Sequence, residues 1–237
     1  MTRIFIKLAV AIGGVLTGVI VVAGVLYLWP FESENRTPVA LERINSSAGT
    51  TESFFLNITG DNVFATHGGA FPFKPFPQGI GSLGNGQTPN TFALATKFRN
   101  RPDGDVVAFG TELEIAHPGS SFLRGKIMTH TLWSIVVPGR GAVHLYQTEN
   151  NWRLFKQVML PMLLSGKPFN GEFVGVNTLG PLDGYQGRVV GGTGDFAGIT
   201  GSFIEIGTLR HLTSDGDMGG LMELRLNYHQ SQEETDP

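Results

Sequence analysis

The chain opens on one unbroken apolar run and only then takes up a period. From Leu8 to Trp29 it reads LAVAIGGVLTGVIVVAGVLYLW, without a charge. A helix needs about 20 apolar residues to cross the hydrocarbon core, so residues 1–30 are expected to be a membrane anchor, in the bilayer through residues 8–29. Arg3 and Lys7 precede the run, and Glu32 and Glu34 follow it. This asymmetry predicts a single-pass protein with a cytoplasmic N-terminus and the bulk of the chain on the exported side, periplasmic, extracellular or lumenal. A cleaved signal peptide would carry an apolar region of about 7–15 residues and a small-residue cleavage site; this run is longer and ends in Leu28-Trp29-Pro30.

Residues 31–51 are polar and aperiodic and read as a tether, with Asn-X-Ser/Thr triplets at Asn35, Asn45 and, just beyond, Asn57. From 52 to 229 the pattern becomes short β-branched and aromatic runs separated by glycine, proline and asparagine. Strands are predicted at Ser53–Thr59, Thr91–Phe98, Asp105–Ala116, Lys126–Val137, Ala142–Thr148, Phe169–Thr178, Gln186–Gly191, Ser202–Leu212 and Leu221–Tyr228. Between them, Trp152, Phe155, Met159 and Met162 recur at three- and four-residue spacing, which predicts one short helix over Asn150–Leu164. A long loop, Gly60 to Asn90, holds the aromatic-proline passage Ala70–Pro77, either a functional lid or a plug of phenylalanine rings. Residues 230–237 form an acidic tail. The expected fold is mainly β: a single antiparallel eight-stranded barrel, closed or nearly closed, preceded by one N-terminal transmembrane helix and interrupted by one short helix. Closure removes exposed strand edges, and eight strands leave room for packed side chains or one small ligand.

Composition narrows the function classes. The 237 residues are 41% hydrophobic and only 16% charged, with a net charge of −3. That balance excludes a disordered polyelectrolyte and offers no basic field for a nucleic acid. There are no cysteines, hence no disulfides, thiolate metal sites or cysteine nucleophile. The six histidines form no metal-ligand spacing, and no Gly-x-Ser-x-Gly elbow marks a hydrolase. No metal and no cofactor are expected.

Val189–Phe203 reads VVGGTGDFAGITGSF. Gly192, Gly194 and Ala197 satisfy a dinucleotide fingerprint, but that motif needs a strand before it and a helix after it. Here β-rich sequence follows, so the motif reads as a tight turn in which Gly192 and Gly194 take positive φ and Phe196 packs beneath. The run Val190-Gly191-Gly192-Thr193-Gly194-Asp195-Phe196-Ala197-Gly198, with Gly201 beyond it, resembles the C-terminal part of the allene oxide cyclase and dirigent-protein barrels. The resemblance implies an eight-stranded barrel, often trimeric, with an apolar cavity in which hydrophobic intermediates are cyclised, coupled or steered. A family cyclase uses a carboxylate and an asparagine-held water. Asn57 is the positional match to that asparagine, and its strand has no matching glutamate.

Alternation along the strands asks which polar groups look inward. Val107, Phe109, Leu113 and Ile115 share one face, which turns Glu112 and Glu114 toward solvent. Met128, Leu132 and Val136 share the face of His130, so an inward reading puts that imidazole in an apolar setting where it could exchange a proton with a ligand; Ile127, Trp133, Ile135 and Val137 form a rival inward face. Glu205 shares a face with Phe203 and Leu209, while Ile204, Ile206 and Leu212 compete for the inside. Buried, its carboxyl would have a raised pKa and serve as a general acid. Asn57, His130 and Glu205 are therefore the candidate catalytic residues. Three functions fit: a membrane-anchored allene oxide cyclase-like enzyme that cyclises or isomerises a lipid-derived or polyketide-like intermediate, a non-catalytic barrel that binds or carries a hydrophobic small molecule, or a packed barrel with no cavity that serves as a structural or interaction module.

Overall fold

The computed structural model describes residues 2–28, 49–58, 62–69, 80–84 and 91–230. Its strands are β1 (Thr50–Asn57), β2 (Val63–Thr66), β3 (Gly81–Ser82), β4 (Thr91–Arg99), β5 (Val106–Ala116), β6 (Met128–Val137), β7 (Gly141–Asn150), β8 (Phe169–Val176), β9 (Thr178–Gly180), β10 (Gly187–Gly194), β11 (Ile199–Leu212) and β12 (Met218–Gln230). Eight of them form an antiparallel ring in the order β1-β12-β11-β10-β7-β6-β5-β4, closed where Phe55 of β1 meets Arg99 of β4. The expected closed barrel is therefore present. The strand expected to run to Thr59 ends at Asn57, and the expected loop from Gly60 carries β2 and β3. The aromatic-proline passage, most of the tether and the acidic tail after Gln230 lie outside the described residues.

One stave departs from the expectation. The position between β7 and β11 is filled by two pieces of chain rather than one strand. β10 pairs with residues 141–146 of β7 and 201–203 of β11. Above it, β8 takes over the edge of β11 at residues 206–212, and β9 pairs with Thr148 and Glu149 of β7. Phe169–Val176, expected as a full stave, is thus half of one, and the wall is spliced between Val176 and Gly187.

The two ends of the interior differ in chemistry. The lower half is packed with Phe54, Phe98, Trp133, Ile135, Leu145, Phe203, Leu224 and Leu226, all buried. Phe54 meets Phe98 edge-on at 6.0 Å between centroids, and Phe98 meets Trp133 at 5.6 Å. Each such buried side chain stabilises the fold by roughly 1.5–3 kcal/mol relative to exposure. The β10–β11 turn closes this end, with Phe196 fully buried under the Arg140 guanidinium, 4.8 Å from its ring centroid. Arg140 also pairs with Glu52 and Asp195. Gly194 takes the positive φ expected of it, 62°. Gly192 does not; a Cβ there would stand 2.5 Å from that of Phe196, so its glycine serves close approach instead.

At the upper end, a helix over residues 152–165 follows β7. Its middle, Phe155–Met159, is π-helical between the α-turns Trp152–Leu154 and Leu160–Ser165. Val158 and Met162 pack on Phe173, Leu209 and Leu212. Leu209 is on the same side of β11 as Glu205, because strand side chains alternate with period two. The helix therefore lies over the upper mouth of the barrel.

A separate helix spans Thr2–Leu28. Its side chains are described for Lys7 and residues 12–24. Among the described residues no helix is long and apolar enough to cross a membrane, so the expected transmembrane span is not part of the fold established here.

Candidate active site

Above the aromatic layer the interior turns acidic. On β5 the inward row is Ala108, Gly110, Glu112 and Glu114, fixed by its register with Trp133 and Thr131 of β6, opposite Glu112 and Glu114 respectively. On β7 the inward row ends in Leu145, Gln147 and Glu149, Gln147 standing opposite Thr131. Glu205 enters from β11. Residues nearly a hundred positions apart thereby converge. Glu112 is 4% exposed, Glu149 1%, Glu205 3% and Gln147 0%; Glu114 is half-buried.

Hydrogen bonds divide these acids. The Gln147 amide nitrogen donates to Glu149 Oε1 and to Glu205 Oε2, each at 2.7 Å. The Trp133 indole N–H donates to the same Glu205 oxygen at 3.1 Å. Glu149 accepts further bonds from Thr131 and Asn151. The Thr178 hydroxyl donates to Gln147 Oε1 at 2.7 Å and accepts the Glu205 backbone N–H at 3.2 Å. That last bond lies at the splice in the wall, where β11 has passed from one half-stave to the other. Glu112 has the surroundings of its neighbours, but among the described residues none donates such a bond to it.

Electrostatics follow from this arrangement. Burial raises the Glu112 carboxyl well above the usual range, and the charges of Glu114, Glu205 and Glu149 push it further. Glu114 is raised well above as well, first by burial and then by Glu149 and Glu205. Glu205 is likewise raised well above, by burial and by Glu149, against the bonds from Trp133 and Gln147, which favour its ionised form. Burial raises Glu149 too, opposed by three hydrogen bonds. Carboxyls this close cannot all ionise, so the cluster titrates as a unit and retains protons. The hydrogen bonds weigh unevenly: those reaching Glu149 and Glu205 favour their carboxylate forms and offset part of the burial cost, with no such offset at Glu112 among the described residues.

Glu112, Glu149 and Glu205 each place a carboxylate oxygen within 4.8 Å of the other two, a spacing a hard cation can bridge. The Gln147 amide nitrogen already donates to one oxygen each of Glu149 and Glu205, as it would between groups that share protons. The donor set fits shared protons better than an ion.

Of the three residues expected to be catalytic, Glu205 is inside. Asn57 alternates with Phe54 and Leu56, both buried, and so turns away from the interior. His130 is on the outer wall, with Nδ1 at 2.7 Å from the Tyr146 hydroxyl and its ring 4.3 Å from that of His117. The inward row of β6 is Thr131, Trp133, Ile135 and Val137. Glu112 and Glu114, expected in solvent, are the correction on the other side: Phe109 and Ile115 are the exposed residues of that strand, at 54% and 42%. Hydrophobicity named the wrong face. A signal for the right one lies in Ala108 and Gly110, small residues in phase with the glutamates, since the inside of a tapering barrel takes small side chains opposite large ones.

No family model and no curated protein matches the chain. Among solved structures it is similar to a pterocarpan synthase dirigent protein, at 10% identity and a TM-score of 0.41, covering 78% of this chain and 97% of that one. It is also similar to pyocyanin demethylase, at 11% identity and a TM-score of 0.37, covering 77% and 100%. A third is a nonspecific heme-binding cyclase that catalyses [4 + 2] cycloaddition during neoabyssomicin biosynthesis, at 12% identity and a TM-score of 0.33, covering 80% and 72%.

Proposed function

We propose that the barrel is an enzyme of the cyclase or isomerase kind, working on a hydrophobic intermediate by proton transfer inside the barrel. The observation that carries this reading is the uneven hydrogen bonding of the buried carboxyls: Gln147 and Trp133 both donate to Glu205 Oε2, whereas among the described residues no donor reaches Glu112, so Glu112 is read as the acid and Glu205 as the base. Glu112 donates its proton to a carbonyl oxygen or alkene carbon of the substrate, and Glu205 removes one from an adjacent carbon. The protons balance, and no redox partner is required. Such positioned acid–base catalysis is worth about 10²–10⁴-fold per group, and the dry surroundings fold a flexible substrate toward its reactive shape. The substrate class proposed is a lipid-derived or polyketide-like molecule. A carrier would need no convergent acids; that is what separates the readings.

The test is isotope exchange on whatever the protein holds. The full chain is purified in detergent, co-purifying small molecules are identified by native mass spectrometry, and the complex is incubated in D2O. The enzyme reading expects deuterium at carbon, or a rearranged product, with the rate lowered about 10²–10⁴-fold in Glu112→Gln. A ligand retained without exchange or rearrangement would make the barrel a carrier.

For the N-terminal segment, membrane attachment with the barrel on the exported side is proposed on the charge asymmetry around residues 8–29. It is supported by the apolar side chains Ile12, Val15, Leu16, Val19 and Ile20, all exposed around the helix, a distribution that suits lipid better than water. Assembly with further copies of the chain is proposed from the apolar outer wall.

A further inference from the structure

Within the acid cluster, one neutral side chain touches both carboxylates and is itself held from behind. The Thr178 hydroxyl has a single hydrogen. Its oxygen accepts the Glu205 backbone N–H, so that hydrogen is free to be donated to Gln147 Oε1. A hydroxyl accepting at one side and donating at the other fixes the amide: its carbonyl faces Thr178, and its NH2 faces Glu149 and Glu205. Turned over, the amide would put its oxygen against two carboxyls, and one of them would need a proton.

We infer that Gln147, locked in orientation by Thr178, is the positioning residue that decides which carboxyl of the cluster keeps a proton. The inference rests on the acid–base reading above and goes further, because it makes the order of protonation a property of one amide rather than of burial. Glu112 and Glu114 face the amide from β5, Glu149 from β7 and Glu205 from β11; β6 and β9 contribute no ionisable group there, only Thr131, Trp133 and Thr178. All four acids are disfavoured as anions by burial, and two of them are compensated by the same NH2 group. Charge-assisted bonds of this kind are roughly twice as strong as neutral ones, so removing their direction moves a proton onto Glu205 while the number of acids is unchanged.

Infrared spectroscopy of the full chain in detergent at neutral pH reads this directly, through the C=O stretch of protonated carboxyls. In the native protein Glu205→Gln is expected to leave that band unchanged, because the Gln147 and Trp133 donors on its Oε2 favour its anion, while Glu112→Gln is expected to diminish it. In Thr178→Val, which keeps the shape and removes the hydroxyl, adding Glu205→Gln takes away part of the band. Thr178→Ser behaves as the native protein, which a merely space-filling role would not require. Should Thr178→Val fail to fold, Gln147→Met is expected to give the same dependence on Glu205. The inference is overturned if Glu205→Gln leaves the band unchanged in both backgrounds, or diminishes it in the native one. Failure of the proposed catalysis looks different: the band pattern holds, and no ligand exchanges deuterium.

Discussion

Glu112 is surrounded by three other acids and, among the described residues, meets no hydrogen-bond donor, and this makes its contribution to stability depend on pH in a defined sense. Its carboxyl is raised in the folded chain, chiefly by burial, whereas in the unfolded chain it returns to the usual glutamate value of 4.5. Between those values the folded state binds more protons than the unfolded one. The stability it contributes is complete below the unfolded value and is lost as pH rises through the folded one. Glu114 and Glu205 act in the same direction. Urea denaturation should therefore give a lower midpoint at pH 8 than at pH 5. Glu112→Gln, which cannot ionise, should lose less over that interval and be more stable than the native protein at pH 8. An equal loss in both proteins would mean that Glu112 is not where the proton sits.

At the scale of elements, the β10–β11 turn separates what could be read from the sequence from what could not. Gly194 and Phe196 were legible because turn chemistry is local: a positive φ and a buried ring below it are written in adjacent residues, whereas the role of Gly192, close approach to Phe196, was not. At Gly194 a Cβ would stand 2.2 Å from the Arg140 carbonyl oxygen, in a backbone conformation already unfavourable for a β-branched residue. Gly194→Val is expected to cost about 3 kcal/mol of stability, measured by denaturant unfolding, with the pH dependence of the acid cluster unchanged. A loss of the cluster's pH dependence without loss of stability would tie the turn to the site. The facing of β6 was not legible, because both its faces carry large apolar residues and period two alone cannot choose between them; on β5 hydrophobicity pointed to the wrong face, and only the small residues Ala108 and Gly110 marked the right one. Barrel closure chooses, and closure is non-local. The spliced stave is hidden for the same reason: Phe169–Val176 has the composition of a full strand, and only its partners show that β10 already holds the other half of the position. Glu205 was found because its face also carries Phe203; Gln147 gave no sign, since its role depends on Thr178, Glu149 and Glu205 arriving from three strands.

The molecule as a whole has an inverted distribution on one side of the barrel, acids within and apolar side chains without. On the outer wall Phe109 stands opposite Val136 and Leu113 opposite Leu132 in the β5–β6 register, and these four are 54%, 54%, 38% and 40% exposed. Val106 and Ile115 extend the same face, both exposed. A contiguous apolar ladder of this kind is costly to leave in water and is characteristic of association surfaces. Another copy of the chain presents the same ladder, and self-complementary patches favour closed symmetric assemblies. Because alternate residues of a strand serve opposite faces, this surface can be altered without touching the interior: Leu132 points out between Thr131 and Trp133, which point in. Leu132→Glu should convert the assembled species seen by sedimentation velocity into a smaller one. The unfolding midpoint and its pH dependence should stay within about 0.5 kcal/mol of native, as for a surface substitution. If the native protein already sediments as a monomer, self-association is wrong and the wall faces another surface. If Leu132→Glu instead abolishes the pH dependence, the two faces of the wall are coupled and the division between site and surface fails with it.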